Sequence, residues 1–406
     1  MTNASVNTSI AIVGGARTPM CEYSGTPGYG KLKDITAIDL AAHAAKAALA
    51  RSKVEPSAVE HVVIGNALQT SDDALYGARH VGLKSGCPQA TPGLTVNRLC
   101  GSGIQSIVNG AQLLLLGEAN VVLAGGMENM SQAPHVVRGL REGVSFGAAP
   151  VLNDLLFAAL KDPVCGLYMA QTAEKIAKRL GVTREEQDKF ALRSHQLGAA
   201  AVKSGRFAAE IEPLKVQTRK GELVVDTDDH IKPDTTLEAL AKLRPAFGKD
   251  GTVTAGNASG IVDGAACVVL TTPERAQADK LDTWAVIRAW GYVGVDPSEM
   301  GIGPVPAIRA CLARAGVKLA DVDRIEINEA FAGQYLGCEK ELGLDRDKVN
   351  VNGGAISLGH PLGATGTRLV LTLMHELRRA KKRYGVASAC IGGGQGIAIL
   401  IENPQA

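Results

Sequence analysis

Closely spaced cysteine pairs are missing from this chain: its eight cysteines, at 21, 87, 100, 165, 267, 311, 338 and 390, include no CxxC. The absence excludes zinc-ribbon and disulfide-framework proteins, so no metal site is expected, and it points to a reducing compartment, the cytoplasm. Charge of one sign is scarce as well. The formal net charge is +2, without a long basic block, which excludes nucleic acid as the expected partner. No apolar run reaches the roughly 18 residues of a spanning helix, so no membrane span is expected. The start, "MTNASVNTSIAIVGG", lacks the basic region and apolar core of a signal peptide. Aromatics make up only 4% of the residues, against 46% apolar residues and 47 glycines. That mix suits an α/β protein whose backbones approach closely. At 406 residues the chain exceeds one ordinary core, and two or three packed units are expected.

What is present includes a weak internal repeat. "ALARSKVEPSAVEHVVIGNAL" from Ala48 aligns without gaps on "CLARAGVKLADVDRIEINEAF" from Cys311, matching Leu49, Arg51, Val59 and Ile64 to Leu312, Arg314, Val322 and Ile327. Both read as a helix end, a loop and a β-branched strand. Downstream, "TVNRLCGSG" and "NVNGGAISLGHPLGATG" each lead into a helix, and each helix precedes a strand, "ANVVLAGG" or "YGVASAC". The second of these strands turns through "IGGGQG" into "IAILIE" as a hairpin. The first has no immediate partner, and "GAACVVLTT" from Gly264 supplies the best one. The expected division is a first half over 1–126, an insertion over 127–256, the last strand of the first half over 257–276, and a second half over 277–406. The insertion reads as helices around "MAQTAEKIAKRLGVTREEQDKFALRSHQLG" and as polar strands in "LKVQTRKGELVVDTDD". A pseudo-twofold relation would bring the equivalent loops together at the ends of the strands.

Cys100 stands between an extended apolar run and a Gly-Ser-Gly that opens a helix. Most cysteines are small buried hydrophobes. A helix start, however, offers N–H groups and a dipole that stabilise a thiolate. His360 lies in a loop with glycines at 353, 354, 359, 363 and 366, where it is either a turn residue or a base for a thiol. Cys390 ends a strand, where a cysteine is by itself more often packing than catalysis; the glycine run after it alters this, because its N–H groups are free to face an oxygen. Asn328 and Glu329 end a strand of the second half and could anchor a loop or take part in chemistry. His135 and His195 have no comparable setting.

Together these residues resemble a family. "GGARTP", "NRLCGSG", "GGMENMS", "GTVTAGNASGIVDGA", "MGIGPVPA", "NEAFA", "GGAISLGHPLGATG" and "SACIGGGQG" occur in the order found in thiolases, the acetyl-CoA acetyltransferases and 3-ketoacyl-CoA thiolases. The resemblance implies an α/β thiolase fold: two pseudo-symmetric βαβαβαββ halves in a five-layered αβαβα core, with an inserted loop domain over coenzyme A. It implies reversible thiolytic cleavage of 3-ketoacyl-CoA, or Claisen condensation of acetyl-CoA, through an acyl-cysteine. Cys100 would be the nucleophile, His360 its base and Cys390 the acid/base for the α-carbon. Asn328 (through a water) and His360 would form one oxyanion hole, and the N–H groups of Cys100 and Gly392 the other. Ser259 would contact the pantetheine arm, Met169 and Met300 would line the acyl pocket, and Ala255 and Phe247 would also bind coenzyme A. Coenzyme A thioesters would be substrates, with no permanently bound cofactor, and the assembly a homodimer or homotetramer. One departure is Tyr168, where many biosynthetic members carry histidine; it points to the 3-ketoacyl-CoA group of broader chain range.

Three rival readings make different demands. A decarboxylating ketoacyl synthase would carry histidine or asparagine in place of Cys390. A non-catalytic acyl or lipid carrier could dispense with the four chemical residues, all of which are present. A dinucleotide-dependent dehydrogenase, suggested by "IAIVGGARTP", lacks a full GxGxxG.

Overall fold

The computed structural model describes residues 9–219, 221–248 and 250–406. Residues 1–8, the start of the stretch read as unlike a signal peptide, and Lys220 in the polar strand region lie outside them. The first half runs β1 (Ile10–Arg17), α1 (Ala37–Ser52), β2 (His61–Gly65), α2 (Gly77–Lys84), β3 (Gly93–Val96), α3 (Ser102–Leu115) and β4 (Val121–Glu128). After β4 come α4 (Met169–Arg179), α5 (Arg184–Lys203) and a ribbon of Leu214–Thr218 on Gly221–Val225. Then β5 (Val262–Thr271) pairs antiparallel with β4, Gly264 opposite Glu128 and Thr271 opposite Val121. The second half follows as β6 (Ala285–Gly294), α6 (Pro304–Ala315), β7 (Arg324–Ile327), α7 (Ala332–Leu342), α8 (Leu362–Ala380), β8 (Tyr384–Ile391) and β9 (Gln395–Glu402).

The strand order is β7-β8-β9-β6-β1-β5-β4-β2-β3, with the short strand Cys21–Glu22 added beside β5 to make ten strands. The two half-sheets are continuous, because Ile10–Ile12 of β1 pair with Ala285–Ile287 of β6. Alternation along each strand divides the core into layers. Ala11 and Val13 face a cluster shared with Leu40 and Ala44 of α1. Ile10 and Ile12 face the opposite way, into a cluster with Ile104 and Ile107 of α3 and Leu369 and Val370 of α8. Ile399 and Ile401 of β9 enter that same cluster from the other sheet, while Ala398 and Leu400 face Ile308 of α6 and Leu336 of α7. The result is helix, sheet, helix, sheet, helix.

The second half departs from the βαβαβαββ expectation at its third strand. Only an isolated parallel bridge, Ile325 to Val349, stands there. The cause is Asn350, which takes φ 47° and ends the ladder. Its amide replaces a strand: Oδ1 accepts from Ile327 N and Nδ2 donates to Ile327 O, each at 2.9 Å.

Helices α3 and α8 cross at glycine. A Cβ on Gly103 would lie 2.4 Å from Thr367 N, and one on Gly366 would lie 2.3 Å from Ile104 N. The two glycines are separated by the same interval as Leu49 and Leu312, so they are equivalents in the repeat. Both clashes are with backbone, which cannot rotate away. Gly366→Ala is therefore expected to destabilise the fold by about 3 kcal/mol or more, read as a lower urea midpoint than that of the parent chain.

Candidate active site

The crossing brings the starts of α3 and α8 together, and with them the loops that precede each helix. Cys100 lies in a single 3-10 turn, Leu99–Gly101, directly before α3. Leu99 takes φ 46°, a left-handed conformation costing about 1–2 kcal/mol for a side chain of this kind. Hydrogen bonds on both sides hold it. Asn97 Oδ1 accepts from Leu99 N at 2.9 Å, while Ser102 Oγ accepts from Arg98 N at 2.8 Å and donates to Leu99 O at 2.7 Å.

The backbone N–H groups of Gly392 and of Cys100 itself act on the Cys100 sulfur to favour its thiolate. Sequence reading expects such donors to favour a thiolate, but burial outweighs them and pushes the thiol up to about 11. The resting group is a thiol. Cys100 packs with Leu68, Met130, Leu156 and Leu362.

His360 is held by its own N–H, which donates to Gly260 O at 2.9 Å. Burial, then the positive charge of Arg368, depresses the imidazole to about 3, so it is neutral. Its tautomer follows from Thr365, whose hydroxyl donates to Pro361 O at 3.0 Å and must therefore accept from Nδ1–H at 2.6 Å. Nε2 is then the bare nitrogen. Asn328 Nδ2 approaches it at 3.3 Å, and Asn328 Oδ1, fully buried, has no protein partner among the described residues.

Cys390 is fully buried on β8. Burial raises its thiol well above the ordinary value, and the proximity of Cys100 and then Cys338 raises it further. The hairpin after it turns at Gly393 and Gly394, both near φ +78° (79° and 77°). A Cβ on Gly392 would touch Leu99 Cδ1 at 3.1 Å and Met169 Sδ at 3.4 Å, so this backbone lies against the Cys100 turn.

Of these groups His360 lines a cavity of about 260 Å³, together with Met169, Phe247, Ser259, Phe331 and Leu362. Leu362 and Met130 belong both to that lining and to the cluster around Cys100. Met300 is buried with Cys390 and Ala330, against Met169 and Phe331, on the Cys390 side. Ala255 is exposed and does not line the cavity. Tyr168 also lines it, its ring tilted between Phe157 at 4.8 Å and Phe247 at 5.5 Å.

Glu329 is a loop anchor: its carboxylate accepts from Ser194 Oγ at 2.7 Å, Asn350 Nδ2 at 2.8 Å and Ile356 N at 3.2 Å. His135 is exposed, and His195 is buried away from the cavity, its Nδ1 accepting from Lys232 N at 3.2 Å. Sequence reading missed Thr365 and Leu99. The threonine could have been found five residues after His360, one helical turn into α8; the leucine's conformation had no sequence signal.

A neutral imidazole with a bare Nε2, a thiol flanked by two N–H groups and a second thiol hard to ionise can together attack a carbonyl carbon, hold an oxyanion and deliver a proton. Thr365→Val should release the tautomer. In ¹⁵N spectra of the imidazole, the parent chain is expected to show Nδ1–H alone and the variant a mixture of both tautomers.

The sequence matches the family described as Thiolase, N-terminal domain, over residues 10–274 and that described as Thiolase, C-terminal domain, over residues 281–403. It is 52% identical over 394 residues to the mitochondrial 3-ketoacyl-CoA thiolase of Homo sapiens, covering 97% of this chain and 98% of the relative. It is 46% identical over 396 residues to the beta-ketothiolase BktB of Cupriavidus necator, covering 97% and 98%. The crystal structure of the human mitochondrial 3-ketoacyl-CoA thiolase superposes with a TM-score of 0.95 at 51% identity, covering 98% of this chain and 100% of that one. Its complex with CoA gives 0.94, also at 51% identity, covering 97% and 98%.

Proposed function

The chain belongs to the thiolase family, and from that premise we propose an acyltransferase that cleaves 3-ketoacyl-CoA to acetyl-CoA and acyl-CoA, and runs the reverse Claisen condensation, through an acyl group on Cys100. One observation carries the reading. His360 of the second half lines an apolar cavity, Cys100 of the first half packs with its lining residues Met130 and Leu362, and Cys390 of the second half clusters with its lining residues Met169 and Phe331.

In the cleaving direction His360 Nε2 takes the Cys100 proton as sulfur bonds to the 3-keto carbon. The bond between the 2- and 3-carbons breaks, and its electron pair becomes the enolate of acetyl-CoA. Cys390 gives that carbon its proton. A second coenzyme A thiol then displaces the acyl group from sulfur, its proton going to Cys390, while the Cys100 sulfur leaves as thiolate and takes back its proton from His360 Nε2. Burial suits Cys390 to this duty: a thiol that resists ionisation rests protonated, and its thiolate is a strong base once the proton has left.

We assign the oxyanion of the enolate to Asn328 (through a water) and His360, and that of the tetrahedral carbon to the N–H groups of Cys100 and Gly392. The pairing of Asn328 Nδ2 with His360 Nε2, the unpartnered Oδ1, and the two N–H groups acting on the Cys100 sulfur support this. Ser259 and Phe247, as cavity lining, would hold the pantetheine arm; Met169 and Met300 would line the acyl end and Ala255 would meet coenzyme A outside the cavity. Tyr168, ringed by aromatics, favours broader acyl range.

The insertion over 127–256 would cover coenzyme A between the two halves. A homodimer or homotetramer fits the apolar side chains Leu140, Val144 and Phe146 left exposed on it. Eight free thiols fit a reducing compartment; relatives carry both mitochondrial and bacterial names, and no helix among the described residues is long and apolar enough to cross a membrane.

Cys100→Ala is expected to abolish thiolysis and the acyl-enzyme seen by mass spectrometry. Cys390→Ala should keep acyl transfer to Cys100 and lose about 10²–10⁴-fold in exchange of acetyl-CoA α-protons with deuterated water; exchange at the parent rate would sink that assignment. Turnover compared across short-, medium- and long-chain 3-ketoacyl-CoA reads the acyl range, with activity expected beyond the four-carbon substrate.

A further inference from the structure

Glu128 ends β4, is fully buried and has no part in the chemistry above. No cation pairs with it among the described residues. Its carboxylate instead receives four N–H donors from both halves of the chain. Oε1 accepts from Asn66 Nδ2 at 2.8 Å and Leu68 N at 3.0 Å, and Oε2 from Ala67 N at 3.1 Å and Gly363 N at 2.8 Å. Each oxygen thus already has two donors, a geometry that favours the anion, while burial works against it and pushes the carboxyl up to about 7.

Gly363 lies at the start of α8, three residues past His360. It also stands to Cys100 at the interval that separates Leu312 from Leu49, so it is the counterpart of the cysteine in the second repeat. The repeat therefore contains two helix starts facing one another. The one at Cys100 leaves its N–H beside the sulfur; the one at Gly363 is filled by the chain's own carboxylate.

We propose that Glu128 is a positioning residue for the reaction, a buried carboxylate that fills the second helix start and so pins the His360 loop to the first half beside Cys100. This rests on the roles given above to Cys100 and His360. The negative charge of Glu128 opposes ionisation of Cys100, so it preserves the thiol while holding the base in place. The other titratable groups on segments packed here leave that charge uncompensated. Asp263, beside the residue paired with Glu128, is occupied by Ser131; His360 is neutral.

Two variants separate the anion from its reach. Glu128→Gln removes the charge and turns an NH₂ toward two N–H donors. It should lower kcat about a hundredfold, since a displaced base costs that much, with KM for coenzyme A within about threefold. It should also move the pH midpoint of Cys100 alkylation, followed by peptide mass, down by roughly half a unit or more. Glu128→Asp keeps the charge but not the reach, so kcat should fall while the midpoint stays at the parent value. A Gln variant with an unmoved or raised midpoint, or with kcat within about threefold of the parent, overturns the proposal. Should neither variant fold, Asn66→Ala removes one donor and keeps the carboxylate: a severalfold loss in kcat is expected, and an unchanged kcat overturns it. Turnover in Cys100→Ala would instead sink the functional reading itself, which keeps the two failures distinct.

Discussion

The rest of the structure depends on the contact between two helices at Gly103 and Gly366. Each glycine lies where any side chain would strike the backbone of the other helix, so the two helices can approach this closely only with glycine at both positions. Both helices sit in the middle layer, packed by the sheets above and below, and α8 is buried at every residue from Leu362 to Met374. Their starts cannot move independently. A thiol from one repeat and an imidazole from the other are held at one place because the two helices that follow them share a single crossing.

Burial then decides the protonation states. Cys100, Cys390 and His360 all lie where charge is penalised more strongly than nearby dipoles can offset, so thiols stay protonated and imidazole stays neutral. A site of this kind stores no charge and moves protons only when a substrate supplies developing charge. The one carboxylate close to Cys100 is kept by four N–H donors rather than by a cation. The segment between β4 and β5 is fastened differently. Arg17 at the end of β1 is fully buried and pairs with Asp228 at 2.7 Å and Glu210 at 3.2 Å. Removing one member of such a set strands a buried charge, typically at about 3–5 kcal/mol.

Much of the chain's organisation was legible because repeated local patterns carry it. The match of Leu49, Val59 and Ile64 to Leu312, Val322 and Ile327 marks equivalent helix–strand units. The strand "VVLAGG" needed a partner, and β5 is that partner. The third strand of the second half was not legible, because a single asparagine amide substitutes for the ladder there. In the site, the settings of Cys100, His360 and Cys390 showed in their flanking glycines. Thr365, one turn beyond His360, was within reach of sequence reading, but its effect on the tautomer was not; Glu128 was not legible, since it acts through N–H groups sixty or more positions away in the chain, from Leu68 to Gly363.

The sequence by itself determined which reactive side chains stand in glycine-flanked settings and that they fall in two related halves, because residue type and periodic spacing are properties of short segments. The tertiary structure alone decided their ionisation, the tautomer of His360, the left-handed turn at Leu99 and the displacement of Ala255 from the cavity. Each of those is set by atoms brought close from distant parts of the chain, and desolvation is a property of the whole packed volume rather than of any segment within it.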